Sequence, residues 1–193
     1  MLKATKDLKI TKKGWELEIK TDDTAENPLN SEDFGIYWAL FHKRYNLYNN
    51  TELHYGDYSG WNQLIEAIED KYQPQIILPI YMYDHSGLAL SLSDFRDHWD
   101  SGQIGYVFIK EGTSQKEFDG EEKKFLDYIE SALNTYEDYL NGKVFYFELF
   151  KDGTLLDSCG GFYGTSFEEN GLKDALLENA PEDVVNELLT NLE

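Results

Sequence analysis

Apolar residues recur along this chain with two periods, and the switches between them mark out its elements. Trp15, Leu17 and Ile19 alternate with Glu16, Glu18 and Lys20, the period of a strand buried on one face. Residues 22–33 read as a loop, punctuated by Asn27-Pro28. Residues 35–41 read as an aromatic strand and 46–60 as an irregular loop. Over 61–72 the period lengthens: Leu64, Ile65 and Ile68 fall at helical spacing, with Ser59 as the expected N-cap and Pro74 as the stop.

Residues 75–83 form a strongly apolar strand with Pro79 inside it. Proline has no N–H for the ladder, so an edge or bulged strand is predicted. The turn Asp84-His85-Ser86-Gly87 leads into 88–92, and a polar stretch over 94–102 leads into a strand at 104–110. These three segments read as a β-meander. Residues 121–140 carry the clearest helical stripe, with Phe125, Ile129, Leu133 and Tyr136 on one face and Asp127, Glu130, Glu137 and Asp138 assigned to the other. Asn141-Gly142 ends it, and 143–150 with 154–159 make a hairpin about Lys151-Asp152-Gly153. The last residues read as two short acidic helices parted at Pro181. The fold class predicted is α+β: an antiparallel sheet (meander plus hairpin) packed by one long amphipathic helix, with short C-terminal helices. The expected organisation is a single domain over 1–170 and an acidic helical segment over 171–193 that nothing in the sequence ties to the core.

With 41% hydrophobic residues, 14 Tyr, 11 Phe and 4 Trp, the chain has ample material for a core and does not read as disordered. The single cysteine, Cys159, has no disulfide partner within the chain, the first fourteen residues hold no apolar secretion segment, and no apolar run is long enough for a bilayer. A soluble, cytoplasmic protein is expected.

Charge changes the picture most. The formal net charge is −20, and it is uneven. Residues 1–20 carry six lysines and three acids; residues 21–110 carry five basic and fourteen acidic side chains; residues 111–193 carry six and twenty. Such a surface repels bare nucleic acid and anionic membranes, so neither is an expected partner. Only Arg44 and Arg96 supply guanidinium groups.

Three constellations are candidates for chemistry. The turns holding Asp84, His85, Asp97, His98 and Asp100 would offer imidazole and carboxylate donors to a divalent metal, or a general acid and base, if they converge. Asp and Ser before Gly also serve as ordinary turn residues. Cys159, next to Gly160-Gly161, reads as a small buried hydrophobe rather than a nucleophile. The helix acids Asp127, Glu130, Glu137 and Asp138 span roughly 16 Å. With Glu178, Glu182 and Asp183 from the C-terminal helices, they form a candidate surface that imitates a run of phosphates.

Parts of the chain resemble a family of uncharacterised small acidic proteins of bacteriophages and mobile elements of Gram-positive bacteria. The resemblance is carried by residues 78–87 (Leu-Pro-Ile-Tyr-Met-Tyr-Asp-His-Ser-Gly), 99–105 (Trp-Asp-Ser-Gly-Gln-Ile-Gly), 135–140 and 157–164 (Asp-Ser-Cys-Gly-Gly-Phe-Tyr-Gly), with an echo in Phe41-His42-Lys43-Arg44-Tyr45. It implies a phage setting and carries over no functional residue. Three readings stand at this point. One is a non-enzymatic inhibitor that binds a basic, nucleic-acid-handling host protein such as a defence nuclease, without a cofactor. The second is an enzyme with a divalent metal at Asp84, His85, His98 and Asp100. The third is a structural or assembly protein whose acidity keeps it dispersed. The oligomeric state stays open.

Overall fold

The computed structural model describes residues 8–30, 35–97, 99–113, 118 and 120–190. It is α+β with antiparallel sheets, as the patterning predicts, but the strands form two four-stranded sheets in place of one. The chain divides into two compact units. Its two ends, Met1–Glu26 and Asp138–Glu193, make a terminal unit, and Asn27–Glu137 makes a central unit. The division expected near residue 170 is not where the contacts separate.

The terminal unit holds β1 (Leu8–Lys12), β2 (Trp15–Thr21), β7 (Val144–Lys151) and β8 (Thr154–Tyr163) in the order β1-β2-β7-β8. Leu17 and Ile19 of β2 stand opposite Leu149 and Phe147 of β7, and all four are buried. The hairpin turn between β7 and β8 falls at Asp152-Gly153, both with positive φ, the backbone that suits a tight two-residue connection. The C-terminal helices, Leu172–Leu177 and Glu182–Thr190, lay Leu172, Leu176, Val185 and Leu188 on the same core. That packing corrects the expectation of a segment not tied to the core: removing four apolar side chains from water holds it there.

Cys159 is a second correction. It lies on β8, an edge strand flanked on one side only, and it is exposed rather than buried. Leu155 and Leu156 on the same strand are also exposed.

The central unit holds β3 (Ile36–Leu40), β4 (Pro74–Asp84), β5 (Leu88–Ser91) and β6 (Ser101–Lys110) in the order β3-β6-β4-β5. The expected meander is not formed, because β6 does not follow β5. It crosses to the other side of β4, where Val107 and Phe108 pair with Leu78 and Ile77 and are wholly buried. Pro79 sits where β4 has a partner on one side only, since β5 pairs from Tyr81 onward, and a register shift follows at Ile80/Tyr81. Its missing N–H can therefore interrupt only the ladder with β6.

Helix α1 (Trp61–Tyr72) buries Leu64 and Ile68 against Ala39, Tyr106 and Phe108. Its N-cap is Gly60, not Ser59; the Ser59 N–H instead donates to the Gln63 side chain (2.9 Å). Gln73 closes the helix in a left-handed conformation, so Pro74 begins the next strand. Helix α2 (Glu122–Leu140) buries Phe125, Ile129, Leu133 and Tyr136, the predicted stripe. No described helix is long and apolar enough to cross a membrane.

Candidate functional site

Strand β3 ends at Leu40, and the chain soon returns along its free edge. Ala39 and Asn49 form an isolated bridge. Asn50 then behaves like a short strand: its Oδ1 accepts the Trp38 N–H (2.7 Å) and its side-chain amide donates to the Ile36 carbonyl (3.0 Å). Residues 41–48 are thereby closed into a loop with fixed ends. The Phe41 N–H donates to the Ile104 carbonyl (2.7 Å) and the Tyr48 N–H to the Tyr136 hydroxyl (2.9 Å), so β6 and α2 hold it as well.

This loop borders a cleft of about 720 Å³. Leu40, Phe41, Tyr55 and Trp61 make apolar and aromatic walls; the Phe41 and Tyr55 rings lie 5.9 Å apart, and Tyr55 and Trp61 4.8 Å. Lys43 and Arg44 supply positive charge, and Asn46, Asn49 and Gln103 supply amides. None of the described residues lining it is Asp or Glu, in a chain where 37 of 193 residues are. A smaller opening of about 200 Å³ shares His42, Arg44 and Gln103 with it and reaches Asp84, Trp99 and Asp100. Trp99 stands 95% exposed at this edge, which is unusual for so large an apolar surface.

Two of the sequence-predicted turns do converge here, by a route other than the one expected. Strands β5 and β6 are not neighbours; β4 and β6 are, with Tyr83 opposite Ser101 and the Asp84 N–H bonded to the Asp100 carbonyl (2.7 Å). His85 Nδ1 lies 2.9 Å from Asp100 Oδ2. The Asp84 carboxylate is occupied: Arg44 forms an ion pair with it, and the Tyr45 hydroxyl donates to it at 2.8 Å. That hydrogen bond, with burial and the negative charge of Asp84, raises the Tyr45 pKa. Asp97 folds back on its own turn, accepting from the N–H groups of Trp99 (3.0 Å) and Asp100 (3.3 Å). His98 lies outside the described residues. Among the described residues no group of three His, Cys, Asp or Glu is arranged to hold a metal ion.

His42 lines both openings. Burial, and then the charge of Arg44, lower its pKa, with Asp84 acting in the opposite sense. The Arg44 N–H donates to His42 Nδ1 (3.2 Å), which leaves the proton of the neutral ring on Nε2.

The acidic positions divide into engaged and free. Glu137 is half-buried and accepts the Leu90 N–H (2.9 Å), and Asp138 pairs with Lys143 (3.3 Å). Asp127 and Glu130 on α2 are exposed, as are Glu178, Glu182 and Asp183 in the terminal unit. None of these five makes an ion pair with another described residue.

The larger cleft was not anticipated from the sequence. Its one visible signal is Phe41-His42-Lys43-Arg44-Tyr45, two adjacent cations set between aromatic rings in an acidic chain. No protein-family model, curated protein or solved structure matches the chain.

Proposed function

We propose that the chain is a binding protein whose recognition site is the cleft of the central unit. The carrying observation is the lining itself, aromatic and cationic and without carboxylates, inside a molecule of net charge −20. A cleft of this volume falls in the range of small-molecule sites, about 300–1,000 Å³. Its ligand has an apolar or aromatic body and an anionic group. Three of the segments behind the family resemblance, 41–45, 83–85 and 99–103, meet around the two openings, which supports a role for them beyond folding. The reading is binding without chemistry. His42 Nδ1 accepts a backbone N–H, and Asp84 is taken up by Arg44 and Tyr45, so neither is poised as a base.

Titration with 8-anilinonaphthalene-1-sulfonate, an aromatic monoanion, tests the site. Saturable binding that weakens at least about tenfold in both Trp61→Leu and Lys43→Glu is expected. Absence of binding, or binding indifferent to both changes, overturns it.

A second reading rests on the five exposed carboxylates without ion pairs. In the phage setting the resemblance implies, we propose that these acids, taken separately as Asp127 and Glu130 of the central unit and Glu178, Glu182 and Asp183 of the terminal unit, dock on basic surface of a nucleic-acid-handling defence protein, as decoys for phosphates. Its test is charge reversal at Asp127, Glu130, Glu178, Glu182 and Asp183, sparing Glu137 and Asp138, which hold the fold. A salt-sensitive complex from host lysate should disappear in that variant. Survival of the complex refutes the decoy.

A further inference from the structure

We infer that the cleft of the central unit takes a nucleoside monophosphate, its base against the Tyr55–Trp61 wall and its phosphate at Lys43 and Arg44. This rests on reading the cleft as a binding site and commits to what fills it. The aromatic groups form one continuous wall: Tyr55 and Trp61 lie 4.8 Å apart, tilted at 43°, and Phe41 continues it beyond Tyr55. Every base offers a π-face to such a surface, whatever its edge pattern.

The polar groups then divide by whether they are already committed. Asn49 has its oxygen filled, Oδ1 accepting from the Thr51 N–H and hydroxyl, and one amide N–H on the Leu53 carbonyl. Gln103 uses only its amide nitrogen, on the Gly105 carbonyl (3.2 Å), so its carbonyl oxygen remains to accept from a base amine. His42 offers its Nε2–H as a donor.

Charge selects the monophosphate. Lys43 is exposed and pairs with no described carboxylate, while Arg44 is partly neutralised by Asp84. One full and one partial positive charge match a phosphate monoester, which carries about −1.5 to −2 at pH 7. A polynucleotide would carry its further phosphates into the field of a −20 protein, so the occupant is a single nucleotide rather than a strand.

Calorimetric titration of the full chain with AMP, GMP, CMP and UMP, with the four matching nucleosides, with ribose 5-phosphate and with a short oligonucleotide tests this, alongside the sulfonate probe. At least one monophosphate should bind. Its nucleoside and ribose 5-phosphate should each bind about tenfold more weakly or worse. Lys43→Glu, a surface change that leaves the core alone, should remove most of the difference in affinity between that monophosphate and its nucleoside. Equal binding of ribose 5-phosphate and the nucleotides, or tighter binding of an oligonucleotide, overturns the assignment. If no nucleotide binds but the probe does, and Trp61→Leu abolishes it, the ligand class is wrong and the cleft stands. If the probe also fails, the site itself falls.

Discussion

Gly105 is the position where the cleft depends most directly on one atom. It stands opposite Leu40 across β3 and β6, with φ +153°, and a Cβ built there would lie 1.9 Å from the Ala39 carbonyl oxygen. Carbon–oxygen contacts between neighbouring strands run at about 3.3–3.6 Å. Gly105→Ala therefore forces β3 and β6 apart by more than an ångström, against backbone rather than a yielding side chain. Crowding of this kind costs about 1–3 kcal/mol, and an L-residue held at this φ about the same again. A total near 4 kcal/mol is a large part of the usual 5–15 kcal/mol, and corresponds to a Tm lower by about 8–16 °C for a chain of this size. Tryptophan fluorescence in urea reports chiefly on the right unit, because Trp38, Trp61 and Trp99 belong to it and Trp15 alone to the terminal unit. Gly102→Ala, on the same strand with open space around its Cβ, is the matched control and should be neutral or slightly stabilising. Sulfonate binding should weaken with Gly105→Ala, since the Phe41 N–H bond to Ile104 opens with the strands. If the two variants unfold at the same urea concentration, the close approach is not a constraint and the reasoning fails.

Leu176→Ala should destabilise the terminal unit by about 2–5 kcal/mol, because the side chain is wholly buried; a loss below about 0.5 kcal/mol would restore the C-terminal helices to the status of an appendage. Lys20, then Lys9, hydrogen-bond the Glu18 carboxyl and hold its pKa down to about 2. The folded value lies below the unfolded one of about 4.3, so this stabilisation is complete above that pH and is lost as pH falls through about 2. Glu18→Gln should thus separate most from the parent protein near neutrality and converge with it in strong acid, as followed by thermal unfolding across pH. Cys159, being exposed, should react stoichiometrically with a disulfide reagent in the native protein at the rate seen in denaturant, whereas protection by folding would contradict its placement.

Elements written as local periodicity were legible in the sequence. The α2 stripe and the turn at Asp152-Gly153 lie where the pattern places them. Strand β1 was not legible, because only Leu8 and Ile10, set between Lys9 and Thr11, carry its alternation. Strand order was not legible: β6 lies beside β4 instead of β5 because of which apolar faces meet, a long-range choice that leaves no mark on either segment. The misreading of Cys159 has the same origin, since periodicity does not say which strand will be an edge. Glu137 was within reach of the sequence. It sits one turn above Leu133, at the border of the buried stripe, where a carboxylate is readily drawn into a bond such as that from the Leu90 N–H. The cleft was hidden because its loop has no period and is closed by the bridge of Asn49 to Ala39 and by the two hydrogen bonds of Asn50.

Strands β2 and β7 are partners in one sheet, yet the whole of Asn27–Glu137 is threaded between them. During synthesis the first hairpin must wait for more than a hundred residues before its mate leaves the ribosome. In that interval the middle of the chain, a compact unit with its own buried core, is free to form its contacts first. The entropy of closing so long a connection grows only slowly with its length, so the wait costs little in stability. The order of maturation is thus written into the connectivity: the central unit first, the unit built from the two termini last.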